Sequence, residues 1–267
     1  MSKALIQLLV LLCIFFGSWF LLSRVDFLTI FNVNHYTQST EKKLGNLIYE
    51  SISETQKEET DSASLEKLET IKLAICTKNN LDTAGIKLHL IKNKEVNAFA
   101  LPDGHLIVYT GLIEECENAE ELSGVLGHEI AHIEHHHVMK KLVKEVGLSA
   151  LLIVTSGKDA SGVLRQLVKL LSSSAYDRKL ETEADLASVD YLAKAEIDPE
   201  PFANLLFRLG DVNGKGVPKE FEWIESHPDS EKRAQEVLNH IKTKKFTKRP
   251  LMSTDDWDAF KARVKTL

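Results

Sequence analysis

Basic excess is the first thing this chain lacks. Its 33 Lys and Arg stand against 39 Asp and Glu, a formal net charge of -6, so it carries no cationic footprint of the kind nucleic-acid binding needs. The local exception, Lys242, Lys244, Lys245, Lys248 and Arg249, reads as part of a solvated tail rather than as an anionic-partner site. Cysteine is scarce, with three in 267 residues. Cys13 follows Leu12 instead of a small residue, which argues against lipoprotein-type processing. Cys76 and Cys116 could pair or both stay free, so the redox compartment is left open. No internal repeat or low-complexity tract is present, and only one apolar run is long. Residues 4–22 are almost wholly apolar, interrupted by Gln7, Gly17 and Ser18 and flanked by Lys3 and Arg24. A helix needs about 20 such residues to cross the hydrocarbon core, and no small-x-small cleavage site stands out after them. The reading is a retained single-pass anchor over residues 1–25. The charges flanking it, Lys3 on one side and Arg24, Lys42 and Lys43 on the other, do not set an orientation. A short tail before a first apolar span is the pattern of a signal-anchor, which would place the large domain outside the cytoplasm.

What remains is rich in core-forming residues, 43% hydrophobic overall, enough for one sizeable core. Apolar residues at helical spacing predict amphipathic helices over 38–57, through Leu44, Leu47, Ile48 and Ile52, and over 62–79, through Leu65, Leu68, Ile71, Leu73 and Ile75. Alternation over 86–91, the run 97–101, a Pro102-Asp103-Gly104 turn and the run 105–110 predict a small antiparallel sheet. A helix then begins at the N-cap Asn118, with Glu120 and Glu121 in its first turn, and runs past Lys140. Further helices are expected over 163–171 and 179–194, with a loop over 157–162. The expected fold class is α+β, mostly α-helical, with one domain over 26–245 and a basic C-terminal tail over 246–267.

His128-Glu129-Ile130-Ala131-His132 is the strongest chemical signal. Residues four apart lie on one helix face, so the two imidazoles can share a tetrahedral zinc. The glutamate after the first histidine then stands beside the metal, placed to take a proton from water that zinc has brought to a pKa of roughly 7. A third protein ligand is needed. The metzincin spacing fails, because His135 and Val138 occupy the positions where glycine and histidine would stand. A carboxylate from a second helix is the alternative. Glu181 and Asp185 are one turn apart and face one way, so Glu181 can bind zinc while Asp185 accepts from a ligating imidazole, His128 being the favoured partner. Glu183 points to the opposite side and reads as a surface residue. His135, His136 and His137 read as a solvated or weakly metal-scavenging face, since one zinc is already satisfied without them.

These residues resemble the membrane-associated zinc metallopeptidases that include the CaaX prenyl protease, HtpX and BepA. The likeness spans about residues 40–235. It rests on 97–105 (Asn-Ala-Phe-Ala-Leu-Pro-Asp-Gly-His), 109–112 (Tyr-Thr-Gly-Leu), 127–132, and 174–178 leading into 181–185, with Ser226-His227-Pro228 ahead of Arg233. The resemblance implies a gluzincin-type domain holding one zinc per chain, with Glu181 as the third ligand. It implies that Asn97, Ala98, Phe99 and Ala100 border the cleft, where an edge strand could pair with an extended peptide. It also implies that His227 approaches the metal, either aiding the reaction or blocking the zinc of a latent form; a helix-capping histidine before Pro228 is the plain alternative. Arg233 would pair with an acid beside the site, such as Asp185. One apolar span instead of several sets the chain apart from the CaaX protease and HtpX and places it nearer the anchored or periplasmic branch. The expected activity is metalloendopeptidase cleavage of unfolded or misfolded proteins at a membrane. Rival readings are a latent zinc-binding assembly or chaperone-like module, and a zinc enzyme acting on non-peptide bonds.

Overall fold

The computed structural model describes residues 33–156, 161–213, 223, 226, 227 and 229–267, with 3, 7, 11, 12 and 15–17 near the N-terminus. Two compact units divide the chain, residues 1–40 and 41–267. In the first, the described residues are helical, and Leu11, Leu12, Phe15 and Phe16 are exposed. The expected membrane-spanning segment and part of the expected 157–162 loop lie largely outside the described residues. Among the described residues, no helix is long and apolar enough to cross a membrane.

The second unit is assembled from helices around a three-stranded sheet. Helix α1 (Val33–Ser53), which belongs to this unit from residue 41 on, is followed by α2 (Ser62–Asn79), then β1 (Lys87–Ile91), β2 (Ala98–Ala100), a 3-10 turn (Pro102–Gly104) and β3 (His105–Tyr109). Asp61 caps α2 by accepting the Ser64 N–H at 2.9 Å, and Asn80 ends it in the left-handed conformation. Next come α3 (Thr110–Glu115), α4 (Ala119–Glu134), α5 (His137–Val146), α6 (Leu148–Thr155) and α7 (Ser161–Ser173). The chain closes with α8 (Arg178–Lys194), α9 (Glu200–Asn213), α10 (Ser230–Ile241) and α11 (Thr254–Val264).

The sheet is mixed rather than antiparallel as the sequence predicts. Its order is β1-β3-β2, with β1 parallel to β3 (Lys87 opposite His105) and β2 antiparallel to β3 (Ala98 opposite Val108). The tight turn forces β3 to run back along β2, and β3 then fills the place between its two predecessors, which leaves it parallel to β1. Gly104 makes the turn possible: its φ is +72°, and a Cβ there would stand 1.9 Å from the Gly85 carbonyl oxygen. The central strand has no exposed face. Leu106 and Val108 enter a core shared with α2, α4, α8, α9 and α10, while Ile107 and Tyr109 enter a second core with α1, α5, α6 and α7. That two-sided burial matches the continuous apolar run of β3.

Three further differences matter. The helix expected to run from Asn118 past Lys140 is broken: α4 stops at Glu134, His136 takes a left-handed φ of 53°, and α5 begins at His137. Asn118 does cap α4, accepting from the Glu121 N–H at 2.9 Å. The segment 246–267, read from the sequence as a basic tail, contains α11, and its Trp257, Phe260 and Val264 are buried in the main core. Basic composition hid three apolar residues at helical spacing. The cationic cluster before α11 is pinned to acids: Lys244 pairs with Asp190, Lys248 with Asp198 and Arg249 with Glu196. Cys76 and Cys116 are both buried and both free.

Candidate active site

Helices α4 and α8 carry the site on facing sides. Their approach is close because α4 presents small residues: Gly127 lies against Ser188 of α8, whose hydroxyl donates to the Gly124 carbonyl at 2.8 Å. Gly124 faces α9, where a Cβ would stand 2.3 Å from Phe202. One turn further along α4, His128 and His132 bring their Nε2 atoms to 3.0 Å from each other. Glu181 of α8 faces both, with Oε2 3.7 Å from His128 Nε2 and Oε1 3.5 Å from His132 Nε2. His227 completes the group: its Nδ1 is 2.9 Å from each Glu181 oxygen and 3.3 Å from His128 Nε2. One donor atom from each of these four residues lies within 4.8 Å of the others, and all four residues are buried.

This donor set fits zinc. Two imidazole nitrogens and a carboxylate oxygen converging on one point are the usual protein ligands of a catalytic site, with a fourth position remaining for water or substrate. In this structure the imidazole of His227 stands in that quarter. The packing of bare donor atoms at 2.9–3.7 Å, deep in the protein, has no structural need that apolar residues would not meet better.

Around the donors lies a set of groups that hold them. Asp185 Oδ1 faces His128 Nδ1 at 2.9 Å, and Arg233 of α10 clamps Asp185 with Nε and Nη2, each at 2.7 Å. Arg233 also reaches Glu181 Oε2 at 3.1 Å and donates to the His227 carbonyl at 2.9 Å. Burial acts to raise both acids, but the Arg233 guanidinium outweighs it for Asp185, and His227 with Arg233 outweighs it for Glu181; both stay ionised below the usual carboxylate range. Tyr176 stacks on the His132 ring at 4.1 Å between centroids, and the Lys141 ammonium sits 4.0 Å over the Tyr176 ring.

Glu129 is fully buried between the metal group and the sheet. Its Oε2 accepts the Ala100 N–H at 3.1 Å, its Oε1 accepts from Trp223 Nε1 at 3.4 Å, and His227 Nε2 is 3.4 Å from the same Oε1. Burial would raise its pKa, but the His227 contact and the imidazoles around it hold the carboxylate below its ordinary value. For His227 the balance runs the other way: burial lowers its pKa, and Glu181 with Glu129 raises it above the ordinary value. The stretch Asn97, Ala98, Phe99 and Ala100 is buried throughout, and it meets the site through backbone rather than side chains. Asn97 turns its amide to the Ser172 carbonyl at 3.1 Å.

The structure therefore brings together His128, Glu129, His132, Glu181, Asp185, His227 and Arg233. Sequence reasoning missed three neighbours. Trp223, a helical residue, and Tyr176, in the loop before α8, carry no spacing signal that ties them to the site. His137, read as part of a solvated histidine face, is fully buried with its Nδ1 3.0 Å from His132 Nδ1; the left-handed residue before it is invisible to helical periodicity.

Known proteins are similar to this chain over the region that holds the site. The model of peptidase family M48 matches residues 62–241. The mitochondrial metalloendopeptidase OMA1 of Bos taurus is 31% identical over 176 residues, covering 59% of this chain and 34% of its own length. The beta-barrel assembly-enhancing protease of Yersinia pestis is 25% identical over 188 residues, 66% of this chain and 38% of that protein. The metalloprotease YcaL of Escherichia coli is 29% identical over 182 residues, 64% and 68% respectively. The chain thus spans less than half the length of OMA1 and of the assembly-enhancing protease. The matched region contains α4, Glu181, Asp185, His227 and Arg233, and it covers more than half of the chain: this chain belongs to peptidase family M48.

Proposed function

We propose that the chain is a zinc-dependent endopeptidase in which His128, His132 and Glu181 hold the metal and Glu129 is the general base. The observation that carries this reading is the placement of Glu129, one residue from a metal ligand and fixed by the Ala100 N–H. When bound, zinc supplies a Lewis acid and makes water a nucleophile at neutral pH. Glu129 takes the proton of the attacking water and returns it to the departing amine, and its anchoring to β2 keeps it oriented for both transfers. Asp185, held by Arg233, orients His128. The β2 strand supports a peptide substrate, because its backbone lies against the base and an extended chain could pair beside it. Unfolded proteins suit such a site better than folded ones, since only an extended segment can lie along a strand. The apolar run 4–22 supports attachment to a membrane.

The test is digestion of casein by the full chain, with bound zinc counted in the same sample. Glu129→Gln should keep one zinc and lose cleavage by about 10²-fold or more. Full activity in that variant would remove Glu129 from the mechanism.

A second feature of the site supports a latent form. His227 is 1% exposed and packed within the ligand group, and Trp223 covers it at 4.9 Å between ring centroids. In this position His227 Nδ1 stands 3.3 Å from His128 Nε2 and 2.9 Å from both Glu181 oxygens, among the donors themselves. His227 then regulates access, and the open form would need it displaced.

A further inference from the structure

His137 is the histidine that the zinc motif leaves over. It follows His132 by five residues, which on an unbroken helix would point it about 140° away from the metal side. The helix is broken there. His136 takes a φ of 53°, a conformation L side chains disfavour, and α5 restarts at His137 with its ring turned back toward the ligands. Its Nδ1 stands 3.0 Å from His132 Nδ1, with the two rings edge-to-face at 5.0 Å between centroids. The ring is fully buried.

We infer that His137 is a positioning residue for the metal, accepting the Nδ1–H of His132 through its own Nδ1. The reading rests on His132 being a zinc ligand, and it follows from counting protons. Two nitrogens 3.0 Å apart make a hydrogen bond only when one donates and the other accepts. His132 Nε2 faces His128 Nε2 and Glu181, so its lone pair belongs to the metal and its proton must sit on Nδ1. His137 Nδ1 is therefore the acceptor, and the His137 proton lies on Nε2. That nitrogen is buried with no hydrogen-bond partner, and Glu183 Oε2 stands 3.5 Å from it. The result is a line from Glu183 through His137 and His132 to the ligand point. Glu183, a surface residue by helical spacing, gains a role at the outer end of that line.

The two ligating imidazoles are thus supported unequally. His128 faces a carboxylate that is itself clamped by Arg233, whereas His132 relies on a neutral ring. A neutral acceptor fixes the tautomer of His132 without adding a second buried negative charge beside Glu181 and Glu129. Outer partners of this kind govern metal affinity as well as orientation.

The experiment is zinc affinity of the full chain, measured by competition with a chromophoric chelator, together with the melting temperature of metal-free and zinc-loaded protein. His137→Leu should weaken zinc binding about 10- to 100-fold and shrink the zinc-induced rise in melting temperature. His137→Asn, whose Oδ1 can accept from the same N–H, should retain most of the affinity. Wild-type affinity in His137→Leu would overturn the inference, as would equal losses in folded Leu and Asn variants. If His137→Leu does not fold, nitrogen NMR of zinc-loaded wild type decides. A protonated His132 Nδ1 beside an unprotonated His137 Nδ1 supports the assignment, and the reverse overturns it. A wild type that binds no zinc would instead reject the metal centre itself.

Discussion

Arg233 holds two buried acids at once, Asp185 by both oxygens and Glu181 by one. Removing it leaves two carboxylates in the protein interior without their cation. Arg233→Met should therefore cost about 3–5 kcal/mol in urea denaturation and weaken zinc binding in a chelator titration. A variant as stable as wild type would mean the pair contributes nothing to the fold. His227 is the residue whose role divides catalysis from control. If it blocks the site, His227→Ala should cut casein faster than wild type while keeping its zinc, measured as initial rates at equal zinc occupancy. A variant that loses activity with zinc in place would make His227 a catalytic donor instead. The identities of these residues were legible beforehand: spacing picked out His128, Glu129, His132, Glu181 and Asp185, and the family resemblance supplied His227 and Arg233. Their mutual distances were not, because they come from three helices and a loop separated by up to about a hundred positions.

At the scale of elements, the sheet shows where local reading stops. Each strand was placed within a residue or two by its alternation and by the Pro102-Asp103-Gly104 turn, yet the pairing of β1 was misjudged. Parallel or antiparallel pairing is set by which neighbour fills the gap, a choice with no local signature. The same limit applies to α4 and α5, whose junction depends on one left-handed residue, His136. Strand pairing also creates a titratable contact: His105 on β3 lies 2.9 Å from His89 on β1, with Asn46 of α1 at 3.1 Å and Lys87 at 3.5 Å. Burial first, and Lys87 second, lower the His105 pKa from 6.5 to about 4. The unfolded chain thus binds a proton at higher pH than the folded one. Stability contributed by neutral His105 is complete above pH 6.5 and is lost as pH falls from 6.5 to about 4. Urea midpoints taken across that window should fall more steeply for wild type than for His105→Gln. Parallel slopes would show that His105 does not carry the acid sensitivity.

For the whole molecule, the consequential part is the end of the chain. Trp257, Phe260 and Val264 of α11 enter the main core alongside α2 and α3, each worth about 1.5–3 kcal/mol on full burial. A chain ending at residue 245 keeps every site residue but should lose several kcal/mol, a large share of the roughly 5–15 kcal/mol that holds a domain folded. Its melting temperature should drop sharply, and an unchanged value would restore the reading of this segment as a solvated tail. The ion pair between Arg263 and Asp61 is exposed at the arginine and adds little to that sum. Taken alone, the sequence determined the candidate ligands, the proposed base and the helices that carry them, because spacing along a helix translates directly into a shared face. Tertiary structure decided the rest. It set the closing of His227 over the donors, the turning of His137 onto His132 and the docking of α11, since each depends on how distant segments pack and none leaves a periodic trace in the chain.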